Sequence, residues 1–141
     1  GPPCQGYSGI GVRRSYEVNK NDLPSNFLFK EMIKTIKHFE PKLFLFENVM
    51  GLLSSRWTKN GTKGEIFRDV LFEFKKLNNY FQEYALVHSK DYGVPQNRPR
   101  LLLVGIRKDL NFLPNHKRIA GGLLPEIREN KYPNILPVIY G

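Results

Sequence analysis

The chain has 141 residues, 40% of them hydrophobic and 13% aromatic, which suffices for one domain with a real core and argues against disorder. Twenty-two lysines and arginines face 13 acids, a formal charge of +9 that suits a polyanionic partner. One cysteine and three histidines exclude an internal disulfide and a structural-zinc cluster, and imply a reducing cytoplasm. No apolar run approaches the ~20 residues of a membrane span, so no membrane partner and no metal are expected.

The chain opens on Gly1-Pro2-Pro3-Cys4-Gln5-Gly6-Tyr7-Ser8, a Gly/Pro-rich bend that presents the single thiol outward. A lone cysteine is more often a small buried hydrophobe, but core cysteines sit in apolar periodic runs, whereas Cys4 is flanked by Pro3 and Gln5. Residues 9–22 have no periodicity and read as a basic loop. Arg13 and Arg14 are placed to reach phosphates, and Ser8 is a neutral donor.

Over residues 26–39, Leu28, Phe29, Met32, Ile33, Ile36 and Phe39 recur at helical spacing, and Pro41 closes the helix. Leu43-Phe44-Leu45-Phe46 is a continuous apolar run, read as a strand buried on both faces in a parallel sheet, with Glu47 at its carboxyl end. In open α/β sheets that end is where ligands bind.

Residues 51–64 are polar and punctuated by glycine, with Arg56, Trp57, Lys59 and Lys63 as candidates for contact with a nucleic-acid backbone; Trp57 has a core-capping alternative. A second amphipathic helix is expected over residues 65–77 and a strand over 84–89. Gly93 and Pro95 break that strand before a fully buried run at 101–106, and the close spacing suggests an antiparallel pair. Arg98 and Arg100, two apart, would share a face if their segment is extended. Beyond residue 108 the texture changes to Pro114, Gly121-Gly122, Pro125, Pro133 and Pro137, read as a linker.

Pro3-Cys4-Gln5, Glu47-Asn48-Val49 and Gln96-Asn97-Arg98-Pro99-Arg100, in that order, resemble the catalytic core of the DNA (cytosine-5)-methyltransferases. Pro41 to Phe44 and Asp91 to Pro95 fit the same pattern, so the resemblance covers residues 1–108 and leaves 109–141 as a linker toward a target-recognition domain. It implies an α/β fold, the second half of a doubly wound, Rossmann-like methyltransferase sheet. The first half, with its glycine-rich cofactor turn, is expected to be absent, which would leave the isolated chain inactive.

The resemblance also assigns roles. Cys4 would add to C6 of a flipped cytosine in double-stranded DNA, and Glu47 would serve N3, for which it must be buried and carry a proton. Arg100 would contact O2, and Arg98 would hold phosphate or Glu47. The methyl donor is implied to be S-adenosylmethionine, with Pro3 and Leu28 against its adenine, and Gln5, Ser8, Arg13, Arg14 and Gln96 would contact DNA. One departure stands out: Asp22-Leu23-Pro24-Ser25-Asn26 lacks the arginine the family usually shows there. Two other readings are a catalytically silent nucleic-acid-binding module and a transfer-RNA cytosine methyltransferase. Exposed sheet edges would favour self-association.

Overall fold

The computed structural model describes residues 24–110. A short 3-10 turn, Pro24–Phe27, leads into helix α1, Leu28–Phe39, followed by strand β1, Leu43–Val49. After a further 3-10 turn at Met50–Ser54 and a loop come helix α2, Glu65–Lys75, strand β2, Tyr80–His88, and strand β3, Pro99–Arg107. The order of helix, strand, helix, strand, strand is the one the periodicity predicts.

The sheet order is β1-β3-β2, and both pairings are antiparallel. This bears out the hairpin of β2 with β3 and corrects the parallel setting expected for β1, whose partner among the described residues is β3 with Phe46 opposite Leu103. The expectation of two buried faces fails for β1 as well. Phe44 and Phe46 are buried, but Leu43 and Leu45 are 48% and 49% exposed. An unbroken apolar run does not reveal which face is covered, and here strict alternation sends only the phenylalanines toward the helices. β3, the central strand, does match its reading, with Leu101, Leu103, Val104 and Ile106 buried.

The core lies between the sheet and the two helices. Phe29, Ile33 and Ile36 of α1 and Ile66, Val70 and Phe74 of α2 meet Phe44, Phe46, Leu101 and Leu103. The rings of Phe44 and Phe46 lie 5.6 and 5.2 Å from that of Phe74. Phe44 also covers its register partner Gly105, where an added Cβ would collide with the ring. Beside this core the Tyr80 hydroxyl donates to the Pro41 carbonyl at 2.7 Å, fastening β2 to the turn before β1.

Chain direction fixes what shares an edge. Three residues separate the end of α1 from the start of β1, and α2 ends shortly before β2, which runs in the same direction as β1 because both are antiparallel to β3. Both helices therefore start at the edge where β1 ends. β3 starts there too, which brings residues 96–100 to the edge that carries Glu47.

Candidate functional site

Glu47 is the fifth residue of β1 and lies opposite Leu102; Arg100, the second residue of β3, lies opposite Val49. Directly opposed residues of an antiparallel pair share a face, so Glu47 and Arg100 are diagonal neighbours on the face turned away from the helices, within reach for a long side chain. Arg100 Nε donates to Glu47 Oε1 at 2.7 Å. Its Nη1 donates to the Pro99 carbonyl at 2.8 Å, which holds the guanidinium along the strand. The arginine is the more enclosed partner, with 23% of its side chain exposed against 44% for the glutamate.

The burial expected of Glu47 is therefore only partial, since β1 runs two residues further than the apolar run suggested and nothing from the helices reaches its outer face. The carboxylate is held by Arg100 rather than Arg98, which precedes the strand, is exposed and forms no ion pair with a described residue. Asn48, pointing the other way, is 2% exposed, and its amide oxygen accepts the Val49 N–H at 2.9 Å where the strand gives way to a 3-10 turn. Sequence reasoning assigned Asn48 no role of its own. Its burial follows from alternation with Glu47.

A second missed residue is Ser89, which organises the loop between β2 and β3. Its Oγ accepts the Arg98 N–H at 3.0 Å and donates to the Gln96 carbonyl. Its own backbone accepts from Val94 at 3.3 Å and donates to Arg98 at 3.4 Å. His88 Nδ1 and Asn97 Oδ1 lie 3.0 Å apart across the same loop. One hydroxyl thus fixes the path into Arg100, and a lone serine after a strand gives no sequence signal of that. Gln96 is exposed within this loop.

The segment after β1 is equally built. The Glu65 carboxylate accepts the backbone N–H groups of Trp57 at 2.5 Å and Thr62 at 2.8 Å. The Trp57 N–H in particular holds that carboxyl below its ordinary value of 4.5. The Trp57 indole N–H donates to Asp69 Oδ2 at 2.6 Å, and its ring stacks on Phe27 at 5.0 Å. Gly64 sits at φ 79°, and an added Cβ would lie 2.9 Å from the Leu53 carbonyl oxygen. Trp57 packs against the core, in keeping with its capping alternative.

Pro3, Cys4, Gln5, Ser8, Arg13 and Arg14 lie outside the described residues, as does the linker reading for all but its first residues. Leu28, in the first turn of α1, is 37% exposed. Among the described residues no group of three or more His, Cys, Asp or Glu could hold a metal ion. No described helix is long and apolar enough to cross a membrane.

In fold, this mixed α/β unit resembles part of solved methyltransferase structures. A crystal structure described as a DNA modification methyltransferase encoded within a prophage (E. coli) superposes with a TM-score of 0.58 at 22% identity, covering 88% of this chain and 30% of that one. A methyltransferase of Entamoeba histolytica gives 0.50 at 20% identity, covering 85% and 33%.

The sequence takes the assignment further. The chain belongs to the C-5 cytosine-specific DNA methylase family, whose profile matches residues 1–137. It is 43% identical over 111 residues to the type II methyltransferase M.FnuDI of Fusobacterium nucleatum, covering 79% of this chain and 29% of that protein. It is 37% identical over 110 residues to the orphan methyltransferase M.SPRI of Bacillus phage SPR, covering 78% and 22%. With M.MthTI of Methanothermobacter thermautotrophicus, a type II methyltransferase, the figures are 38% over 141 residues, 89% and 37%. The chain thus spans well under half the length of these relatives.

Proposed function

We propose that this chain carries the base-modifying half of a DNA (cytosine-5)-methyltransferase and represents the second half of the family's doubly wound sheet. The observation that carries the reading is the Glu47–Arg100 pair at 2.7 Å, on the edge where the Gln96-to-Arg100 loop enters the sheet. Cys4 enters on the sequence alone, through the Pro3-Cys4-Gln5 motif and a family match that begins at residue 1.

C5 of cytosine is a weak nucleophile, and it becomes reactive once a sulfur has added to C6 and broken the ring's aromaticity. Cys4 forms that bond as the thiolate. The ring electrons displaced by the addition collect toward N3 and O2. Glu47 delivers or retains a proton at N3, and Arg100, already oriented by Glu47 and by the Pro99 carbonyl, donates to O2. A cytosine swung out of the duplex would cover the half-exposed carboxylate and exclude water from it.

Arg98, free of an ion pair to the described residues, is left to meet phosphate, together with Gln5, Ser8, Arg13, Arg14 and Gln96. S-adenosylmethionine, when bound, supplies the methyl group to C5. Leu28 and Pro3 are assigned to its adenine, and because the chain matches only 22–37% of the length of these relatives, the 141 residues on their own should transfer no methyl group above background. β1 and β2 are the edges of the described sheet, which supports self-association of the chain on its own; sedimentation would test that.

The decisive test uses duplex DNA with 5-fluorocytosine and the protein expressed from its complete reading frame. Fluorine replaces the proton that must leave C5 after methylation, so a denaturation-resistant adduct should accumulate. Cys4→Ser should abolish it. A protein that forms no adduct, or that traps equally with Ser at position 4, would favour a silent nucleic-acid-binding module instead.

A further inference from the structure

Residues 55–69 carry four cations, Arg56, Lys59, Lys63 and Arg68, against two acids, Glu65 and Asp69. Both acids are already engaged. Glu65 is taken up by the N–H groups of Trp57 and Thr62, and Asp69 by the Trp57 indole. Arg68 Nη1 donates to the Lys63 carbonyl at 3.2 Å, drawing those two residues together. All four cations are exposed, and none forms an ion pair with a described residue.

The loop's shape is set by its own contacts rather than left to the ligand. Glu65 bridges Trp57 and Thr62, Gly61 packs so closely on the Glu65 carboxylate that a Cβ there would push the carboxylate aside, and Trp57 is clamped between Phe27 and Asp69. Lys30 lies over the Phe27 ring at 5.0 Å, adding a further cation to this side. A fixed loop whose cations form no ion pair with a described residue, with exposed hydroxyl and amide groups at Thr58, Asn60 and Thr62, suits a ligand whose charges are regularly spaced and whose oxygens only accept. Because the loop runs from the end of β1 to the start of α2, it stands at the edge that carries Glu47 and Arg100.

We propose that Arg56, Lys59, Lys63 and Arg68 form a preformed platform for the phosphate backbone of duplex DNA, flanking the nucleotide on which Glu47 and Arg100 act. This deepens, and for its location rests on, the function proposed above. The platform reads charge and spacing, so it contributes affinity without sequence preference.

The test is binding of a fluorescent mixed-sequence duplex to the complete protein over a range of KCl concentrations. Joint replacement Arg56→Gln, Lys59→Gln and Lys63→Gln should lower the slope of log affinity against log salt by roughly 2–3, at ~0.9 for each phosphate no longer neutralised, equally for different sequences. A control removes the same charge at the opposite edge, with Lys37→Gln, Lys42→Gln and Lys75→Gln, and should leave the slope unchanged. Equal effects of the two triples, or no effect of the first, would overturn the platform. Trapping by 5-fluorocytosine in the unsubstituted protein reports on the catalytic reading separately. A reduced slope in the first triple without any trapping would keep the platform and reject the methyltransferase chemistry.

Discussion

Arg100 crosses one step of the β1–β3 ladder to place its Nε 2.7 Å from Glu47 Oε1, and this diagonal is the contact that joins two motifs separated in sequence. The pair is too exposed to matter much for stability; exposed ion pairs contribute ~0.2–1 kcal/mol. Its value lies in orientation. Arg100→Gln should therefore leave the melting temperature almost unchanged while slowing adduct formation on 5-fluorocytosine DNA by ~10²-fold, the usual cost of one positioned donor. Lysine at position 100 should not restore the rate, because an ammonium cannot donate to Glu47 and to a base oxygen in one fixed plane. A melting temperature that falls with activity would mark Arg100 as structural.

Ser89 is linked to Arg100 through the loop that it braces at Gln96 and Arg98. Ser89→Ala leaves the Arg98 N–H and the Gln96 carbonyl without their shared partner and should cost about 1 kcal/mol. Hydrogen exchange should quicken at the Arg98 amide specifically. Unchanged exchange there would show that backbone pairing alone holds the loop.

Gly105 is held to glycine by the Phe44 ring, since any Cβ would enter the space the ring occupies. Phe44 is buried and packed against Phe74 and Tyr80, so it cannot swing aside cheaply. Gly105→Ala should destabilise the chain by ~1–3 kcal/mol in urea unfolding, the range for overpacking a filled core. A neutral result would mean that the ring has room to retreat.

Glu65 makes the basic loop sensitive to acid. Its carboxyl is held below 4.5, first by the Trp57 N–H, so the folded state favours the charged form. The stabilisation is complete above the unfolded value and fades as pH falls through the lower folded value. Trp57 is the only tryptophan in the chain, and its fluorescence should shift as pH is lowered below about 4.5, reporting release of the loop. Glu65→Gln should flatten that acid-side change. An unaltered titration in the variant would place the transition on another carboxyl.

The periodicity of α1 and α2, the apolar runs of β1 and β3 and the pairing of β2 with β3 were legible in the sequence, whereas β2 was expected over 84–89 and starts four residues earlier, at Tyr80. The motif residues, including Glu47 and Arg100, were legible too. What periodicity could not supply was the neighbour of β1. Leu43-Phe44-Leu45-Phe46 reads as a strand wherever it sits, and only tertiary pairing with β3 made it antiparallel, buried its phenylalanines and left its leucines half-exposed. The same pairing chose Arg100 over Arg98 as the partner of Glu47, since register across two strands, not spacing along one, decides which side chains share a diagonal. The braces at Ser89, Glu65 and Asp69 likewise had no sequence signal, because a hydrogen bond between loop residues depends on where the chain has already been carried by the elements around it.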